Sequence, residues 1–166
     1  MPIKSIIQPD FININSEIRL RKYDEKVDFA LNWYQDEETL MLVDGKNKAY
    51  DMERLNKMYT YLDNQGELYF IEYKVNYKYI AIGDVTFSKD DMPIVIGDKD
   101  YRGHGIGKKV VLKLIERGRD LGYNKLFVNE IYHYNIGSQN LFEGVGFKKY
   151  KQTTKGYSYC IDLNKL

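Results

Sequence analysis

Asp98-Lys99-Asp100-Tyr101-Arg102-Gly103-His104-Gly105-Ile106-Gly107-Lys108-Lys109 decides how the rest of this chain is read. Before it, Pro93-Ile94-Val95-Ile96 is a short apolar run bounded by turn residues, as a strand would be. After it, Ile106, Val110, Val111, Leu114 and Ile115 recur at helical spacing, and Gly122 follows Leu121 as a left-handed cap. Glycines between a strand and a helix let backbone N–H groups approach a ligand with no Cβ in the way. Those N–H groups lie at the positive end of the helix, which favours an anion. Arg102, Lys108 and Lys109 add charge of the same sign. The stretch therefore predicts a strand–loop–helix unit that holds a phosphate or pyrophosphate.

The common nucleotide loops do not fit it. A Walker A loop needs a glycine where Arg102 stands and a hydroxyl where Lys109 stands. The dinucleotide fingerprint, started at Gly103 or Gly105, would put its last glycine on Lys108 or Val110. A protein-kinase glycine loop fails on the same spacing, with no H-R-D or D-F-G after it.

Outward from the loop, the N-terminal side reads as a strand over 16–23, a helix capped by Asp24 and running to Tyr34, and a polar loop through Asp44-Gly45. A second helix is capped by Asp51 and followed by a turn at Asn64-Gln65-Gly66. Leu68–Tyr73 and Tyr77–Phe87 then form a hairpin joined by Lys74-Val75-Asn76. On the C-terminal side, Lys125–Ile131 is a strand. A helix from Ile136 carries Leu141, Phe142 and Val145 and stops at Gly146. Phe147–Lys151 and Tyr157–Leu163 are closing strands around Lys155-Gly156. The order is a mixed α/β arrangement, not a regular βαβ alternation.

The chain has 166 residues, the size of one ordinary domain, and no linker or repeat divides it, so a single domain over 1–166 is expected. Lys and Arg number 25 against 24 Asp and Glu, a net +1 that argues against a dedicated nucleic-acid binder while leaving room for a local basic site. Cys160 is the single cysteine, which rules out an intrachain disulfide and a cysteine metal cluster. Two histidines, His104 and His133, have no paired spacing, so no metal is expected. There is no apolar run of membrane length and no signal-like N-terminus, and a cytoplasmic home without membrane contact is expected. Of the 16 tyrosines, most are read as packing residues.

Arg102-Gly103-His104-Gly105-Ile106-Gly107 fits Arg-x-x-Gly-x-Gly and resembles the acyl-CoA pyrophosphate loop of the GNAT superfamily of N-acyltransferases. Asn135 through Phe147, with Ser138 three residues after Asn135, Leu141-Phe142 and Gly146-Phe147, is similar to that family's later motif and lies beyond the next strand, as the family requires. The resemblance covers about residues 77–150. Ile94 through Tyr101 looks most like the subgroup acting on ribosomal-protein N-termini and related small amines. The implied fold is a mixed, mostly antiparallel central sheet, splayed at the acyl-CoA site and flanked by helices.

The resemblance implies an acetyltransferase that uses acetyl-CoA on a primary amine. The backbone of Ile94, Val95 and Ile96 would pair with the pantetheine and the acyl carbonyl. The N–H groups of Gly103, His104, Gly105, Ile106, Gly107 and Lys108, beside Arg102, would hold the pyrophosphate. Asn135 would bond the pantetheine arm, and Ser138 and Phe142 would line its sulfur end. A carboxylate must take the ammonium proton, and Asp91 and Glu130 are the candidates. Many relatives carry a tyrosine at the position of Phe142 to protonate the leaving thiolate. Phe142 has no hydroxyl, so Tyr134 is the expected replacement, with Tyr132, a water or unassisted release of the thiolate as alternatives. The same departure admits a second expectation, a catalytically weak acyl-CoA sensor. The acceptor would be a small-molecule amine or a protein N-terminus, and the protein a monomer or homodimer.

Overall fold

The computed structural model describes residues 2–165. The ends of the expected 1–166 domain, Met1 and Leu166, lie outside the described residues. The chain forms two compact units. The first takes in the chain up to Thr86 together with Ile94–His104, and the second takes in Phe87–Pro93 and the chain from Gly105 onward.

The first unit is built on a five-stranded sheet in chain order: β1 (Phe11–Asn13), β2 (Ile18–Lys22), β3 (Glu67–Val75), β4 (Lys78–Phe87) and β5 (Ile94–Ile96). Alternation sets β2: Ile18 and Leu20 are buried, while Arg19 and Arg21 turn to the other face and both bond Glu72 of β3, at 2.8 and 3.0 Å. Arg19 stands directly opposite Glu72 in the register, so the ion pair is also a cross-strand pair. The β3–β4 turn is tighter than expected. Its two residues, Asn76 and Tyr77, both have positive φ (50° and 66°), the signature of a type I′ hairpin turn, whose twist matches that of the strands. β4 and β5 approach so closely that a Cβ on Gly83 would lie 2.2 Å from the Val95 carbonyl oxygen.

The helical layer of this unit departs from the sequence reading in two places. Asp24 is not a helix cap: it accepts from Lys26 N and pairs with Arg21, and a 3₁₀ helix begins later, over Asp28–Gln35. Ala30 and Tyr34 are buried as the spacing predicts. The tighter winding also brings Trp33, three residues after Ala30, inside. The expected polar loop after it is an α-helix, α1 (Glu37–Asp44). Asp36 caps α1 by accepting from Thr39 N, acidic Glu37 and Glu38 suit its positive end, and Gly45 (φ 68°) ends it. α2 (Met52–Gln65) is capped by Asp51 as expected, and it runs on through Asn64 and Gln65, expected in a turn, to end at the extended Gly66. Val27, Ala30, Trp33, Tyr34, Leu55 and Tyr59 gather with Leu68 and Phe70 of β3 into one core.

The second unit carries α3 (Ile106–Asp120), β6 (Lys125–Tyr132), α4 (Ile136–Gly144), β7 (Lys148–Gln152) and β8 (Gly156–Asp162). Its three strands are antiparallel in the order β6-β8-β7. The apolar stripe predicted for α3 is the buried one, Ile106, Val110, Val111, Leu114 and Ile115. Gly122 (φ 84°) follows α3 and Gly146 (φ 109°) follows α4 in left-handed conformations. β7 is exposed along its whole length and carries Lys148, Lys149 and Lys151, a usual protection for an edge strand. Among the described residues no helix is long and apolar enough to cross a membrane.

Gly144 is exposed at the end of α4, and a Cβ placed on it would meet no atom within 4 Å. Gly144→Ala is expected to raise stability by ~0.5 kcal/mol through the unfolded chain's entropy, read as a small rise in Tm.

Candidate functional site

β5 is the last strand of its sheet, paired with β4 through Gly83–Ile96 and Val85–Ile94, and its three residues are half-buried. Beyond it a short 3₁₀ turn (Lys99–Tyr101), capped by Asp98, leads to Arg102. Gly103 and Gly105 follow with φ of 76° and 74°, and a Cβ on either would meet no atom within 4 Å. Packing therefore does not demand these glycines; the left-handed backbone does, and it leaves open space beside the main chain. α3 starts at once, and Gly105 gives it no side-chain cap, whereas α1, α2 and α4 are capped by Asp36, Asp51 and Asn135. Its first N–H groups thus point outward with no cap from a neighbouring side chain, which suits an anion. His104 and Lys108 are exposed. Ile106 is a core residue, so it has only its N–H to offer a ligand.

The Arg102 side chain turns back into its own unit. Its Nε donates to the Ile96 carbonyl at 2.8 Å and its Nη2 to Thr39 Oγ1 at 2.7 Å.

In the second unit the two carboxylate candidates turn out to be linked. The β6–β8 register shifts between Val128 and Ile131, a bulge containing Asn129 and Glu130. Asp91 Oδ1 accepts from Asn129 N at 2.9 Å and from Met92 N at 3.0 Å, and Ser158 Oγ donates to the Asn129 carbonyl. Asp91 thus anchors the bulge that presents Glu130, a usual way for a sheet to re-aim a side chain. Burial raises the Asp91 carboxyl, against the two N–H groups that favour its charge. Glu130 is exposed and accepts from Lys155 N at 3.3 Å.

Asn135 caps α4, its Oδ1 accepting from Ser138 N at 3.1 Å, and Ser138 is half-buried in the first turn. Phe142 is 2% exposed and meets Phe147 edge-on at 5.2 Å. That is a packing position in the core of its unit, where the sequence reading has it lining a ligand. Tyr134 is half-exposed and stacks on Tyr132 at 5.4 Å, with its hydroxyl raised by partial burial and therefore protonated at neutral pH. His133 meets Tyr157 edge-on.

The sequence reading misses the buried acid Asp84. Asp84, in the middle of β4, is 2% exposed, and both Tyr34 and Tyr59 donate to its Oδ2, at 2.7 and 2.8 Å. Burial raises its carboxyl and the two hydroxyls lower it, and the balance leaves it at about 6. An acid in the apolar run Tyr79–Phe87 is the signal that could have found it.

The fold is similar to those of several solved acetyltransferases. One is a GNAT-family acetyltransferase from Bacillus anthracis, 16% identical, with a TM-score of 0.74 over 93% of this chain and 99% of that one. A second is the microcin C7 self-immunity acetyltransferase MccE, solved with acetyl-CoA and AMP, 19% identical, with a TM-score of 0.72 over 93% and 97% of the two chains. A third is AAC(6')-Ib, solved with ribostamycin and coenzyme A, 15% identical, with a TM-score of 0.69 over 89% and 94%. No curated protein matches the sequence. At these identities the likeness speaks for the fold. The family rests on the sequence itself: residues 27–147 match the model of the Acetyltransferase (GNAT) family, a span that includes β5, the glycine loop, α3 and α4. The chain therefore belongs to the GNAT acetyltransferases, acyl-CoA-dependent N-acyltransferases that take acetyl-CoA as cosubstrate.

Proposed function

We propose that this protein moves an acetyl group from acetyl-CoA to the primary amine of a small molecule, by direct attack of the amine on the thioester. The observation that carries the reading is the glycine loop. Two left-handed glycines with open space beside them lead into a helix with no side-chain cap, at the motif that resembles the family's pyrophosphate loop. In this reading the N–H groups of 103–108 hold the pyrophosphate, the backbone of Ile94–Ile96 pairs with the pantetheine and polarises the thioester carbonyl, and Asn135 steadies the arm. The amine forms its N–C bond to the thioester carbonyl carbon, giving a tetrahedral intermediate, and the C–S bond breaks as that intermediate collapses. Its proton passes to Glu130, which the Asp91-anchored bulge presents. Tyr134, protonated at neutral pH, supplies the proton that the thiolate takes up. Two of the similar structures hold CoA or acetyl-CoA, and one of these also holds ribostamycin, which supports a small-molecule acceptor over a protein N-terminus. A cytoplasmic location suits the lone Cys160.

Calorimetry with acetyl-CoA and thiol release over an amine panel test the reading. Binding in the micromolar range with amine-dependent thiol release is expected; no binding overturns it. Binding without release from any amine favours the sensor that the missing hydroxyl of Phe142 admits. With an acceptor in hand, Glu130→Gln is expected to lower kcat about a hundredfold. A kcat within twofold of wild type would remove Glu130 as the proton acceptor.

A further inference from the structure

The side chain of Arg102 turns back into its own unit and closes a circuit there. Nη2 donates to Thr39 Oγ1 at 2.7 Å, and that hydroxyl in turn donates to Asp36 Oδ2 at 2.9 Å. The other Asp36 oxygen pairs with Lys99 Nζ at 2.6 Å, and Arg102 N returns to the Lys99 carbonyl at 3.2 Å. The circuit joins the approach to the glycine loop, residues 99–102, to the first turn of α1. Through Nε on the Ile96 carbonyl it also reaches the end of β5. Thr39 is buried, and the Arg102 side chain is three-quarters buried at 25% exposure. The Lys99 hydrogen bond holds the Asp36 carboxyl down, to about 2, so Asp36 meets its partners as a carboxylate at neutral pH.

A guanidinium suits this place because its planar fork offers fixed donors in several directions, whereas an ammonium is a point charge on a flexible stem. Turning the side chain outward to a phosphate would take the donor from the Ile96 carbonyl and from buried Thr39 together. The remaining nitrogen, Nη1, is buried without a hydrogen bond, its nearest acidic oxygen being Glu38 Oε2 at 3.7 Å.

We infer that Arg102 is a positioning residue, locking the end of β5 and the first turn of α1 to the glycine loop and leaving the phosphates to the backbone. One side chain then sets both the strand proposed to receive the thioester and the first turn of α1. The inference rests on the acetyltransfer reading for its kinetic consequence and on the contacts alone for its structural one.

Two donors separate the roles: acetyl-CoA, and acetyl-pantetheine, which carries the thioester arm without the pyrophosphate. Arg102→Lys and Arg102→Gln are each expected to lower kcat/KM about tenfold with both donors. Thr39→Val should lose several-fold with both, Thr39→Ser should stay near wild type, and Arg102→Lys/Thr39→Val should fall no further than Arg102→Lys, as members of one network do. In the protein without donor, backbone amides of α1 should exchange faster in Arg102→Lys and in Thr39→Val. A loss confined to acetyl-CoA, or full activity in Arg102→Lys, would overturn the inference in favour of a direct grip on phosphate. Unchanged exchange in α1 would overturn it as well. If wild type neither binds acetyl-CoA nor turns over, the acetyltransfer reading fails, and the exchange comparison still decides whether Arg102 locks α1.

Discussion

Gly156→Ala is expected to destabilise the protein by ~3 kcal/mol or more. Gly156 opens β8 and stands opposite Tyr132 in the β6–β8 register. A Cβ there would lie 1.8 Å from the Ile131 carbonyl oxygen, 2.7 Å from its carbon and 3.0 Å from Tyr132 Cα. All three are backbone atoms of a paired strand, which cannot rotate aside as the tip of a side chain can. The other edge of the residue is fixed too: Gly156 N donates to Thr153 Oγ1 at 3.0 Å, and its carbonyl accepts from Thr153 N at 2.9 Å. The extra methyl must therefore pry β8 from β6 at this end, next to the bulge that presents Glu130. For a chain of this size the loss corresponds to a fall in Tm of about 6–12 °C. Gly144→Ala is the matched control, the same atom added where nothing stands in its way. Equal Tm values for Gly156→Ala and wild type would show that the two strands do not pack this closely.

What the sequence discloses here is what its neighbouring residues decide. The loop at 98–109 is legible because glycine spacing, the apolar stripe of α3 and the strand before it all lie within one short segment. Asp51, Gly122 and Gly146 mark boundaries for the same reason: a cap or a left-handed residue acts on its own turn. α1 is hard to see because its eight residues bury only Thr39 and Leu40, too few for a period, so its signals are Asp36 and Gly45 at its two ends. The 3₁₀ winding at Asp28–Gln35 depends on distant packing, since Trp33 fills the space beside Gly97, where a Cβ would fall 2.2 Å from the indole. The candidate site divides in the same way. That Arg102 matters can be read from the motif; which way it points cannot, because Thr39 is 63 residues away in sequence. Asp91 and Glu130 can be named one at a time, but that one anchors the strand carrying the other depends on a bond across 38 residues, Asn129 to Asp91.

Asp84 depends on partners just as distant, and it carries the second large effect. Replacing both of its donors, in Tyr34→Phe/Tyr59→Phe, is expected to lower stability by ~4 kcal/mol at pH 8, since hydrogen bonds to a charged group contribute about 1.5–3 kcal/mol each. The loss should shrink toward pH 4.5, and this pH dependence is what identifies the cause. Burial raises the folded-state carboxyl from the ordinary 3.8 to about 6. Between those values the folded protein holds a proton that the unfolded chain has released, so this group's contribution to stability falls as pH rises through the window. A shift of about two pH units corresponds to ~3 kcal/mol. Asp36, held down to about 2, works in the opposite sense, contributing stability that is lost as pH falls through 3.8 toward 2. Comparing each variant with wild type at the same pH cancels such terms. With both hydroxyls gone the carboxylate is harder still to ionise, so the double variant should lose stability more steeply than wild type above pH 6. Asp84→Asn keeps an acceptor oxygen for Tyr34 and Tyr59 and carries no charge, so it should lack the fall through the window and gain on wild type as pH rises. Urea unfolding of the three proteins between pH 4.5 and 8 measures all of this. If the gap between wild type and Tyr34→Phe/Tyr59→Phe stays constant across that range, Asp84 does not change its charge there in the folded protein, and the two tyrosines hold a group whose charge is fixed.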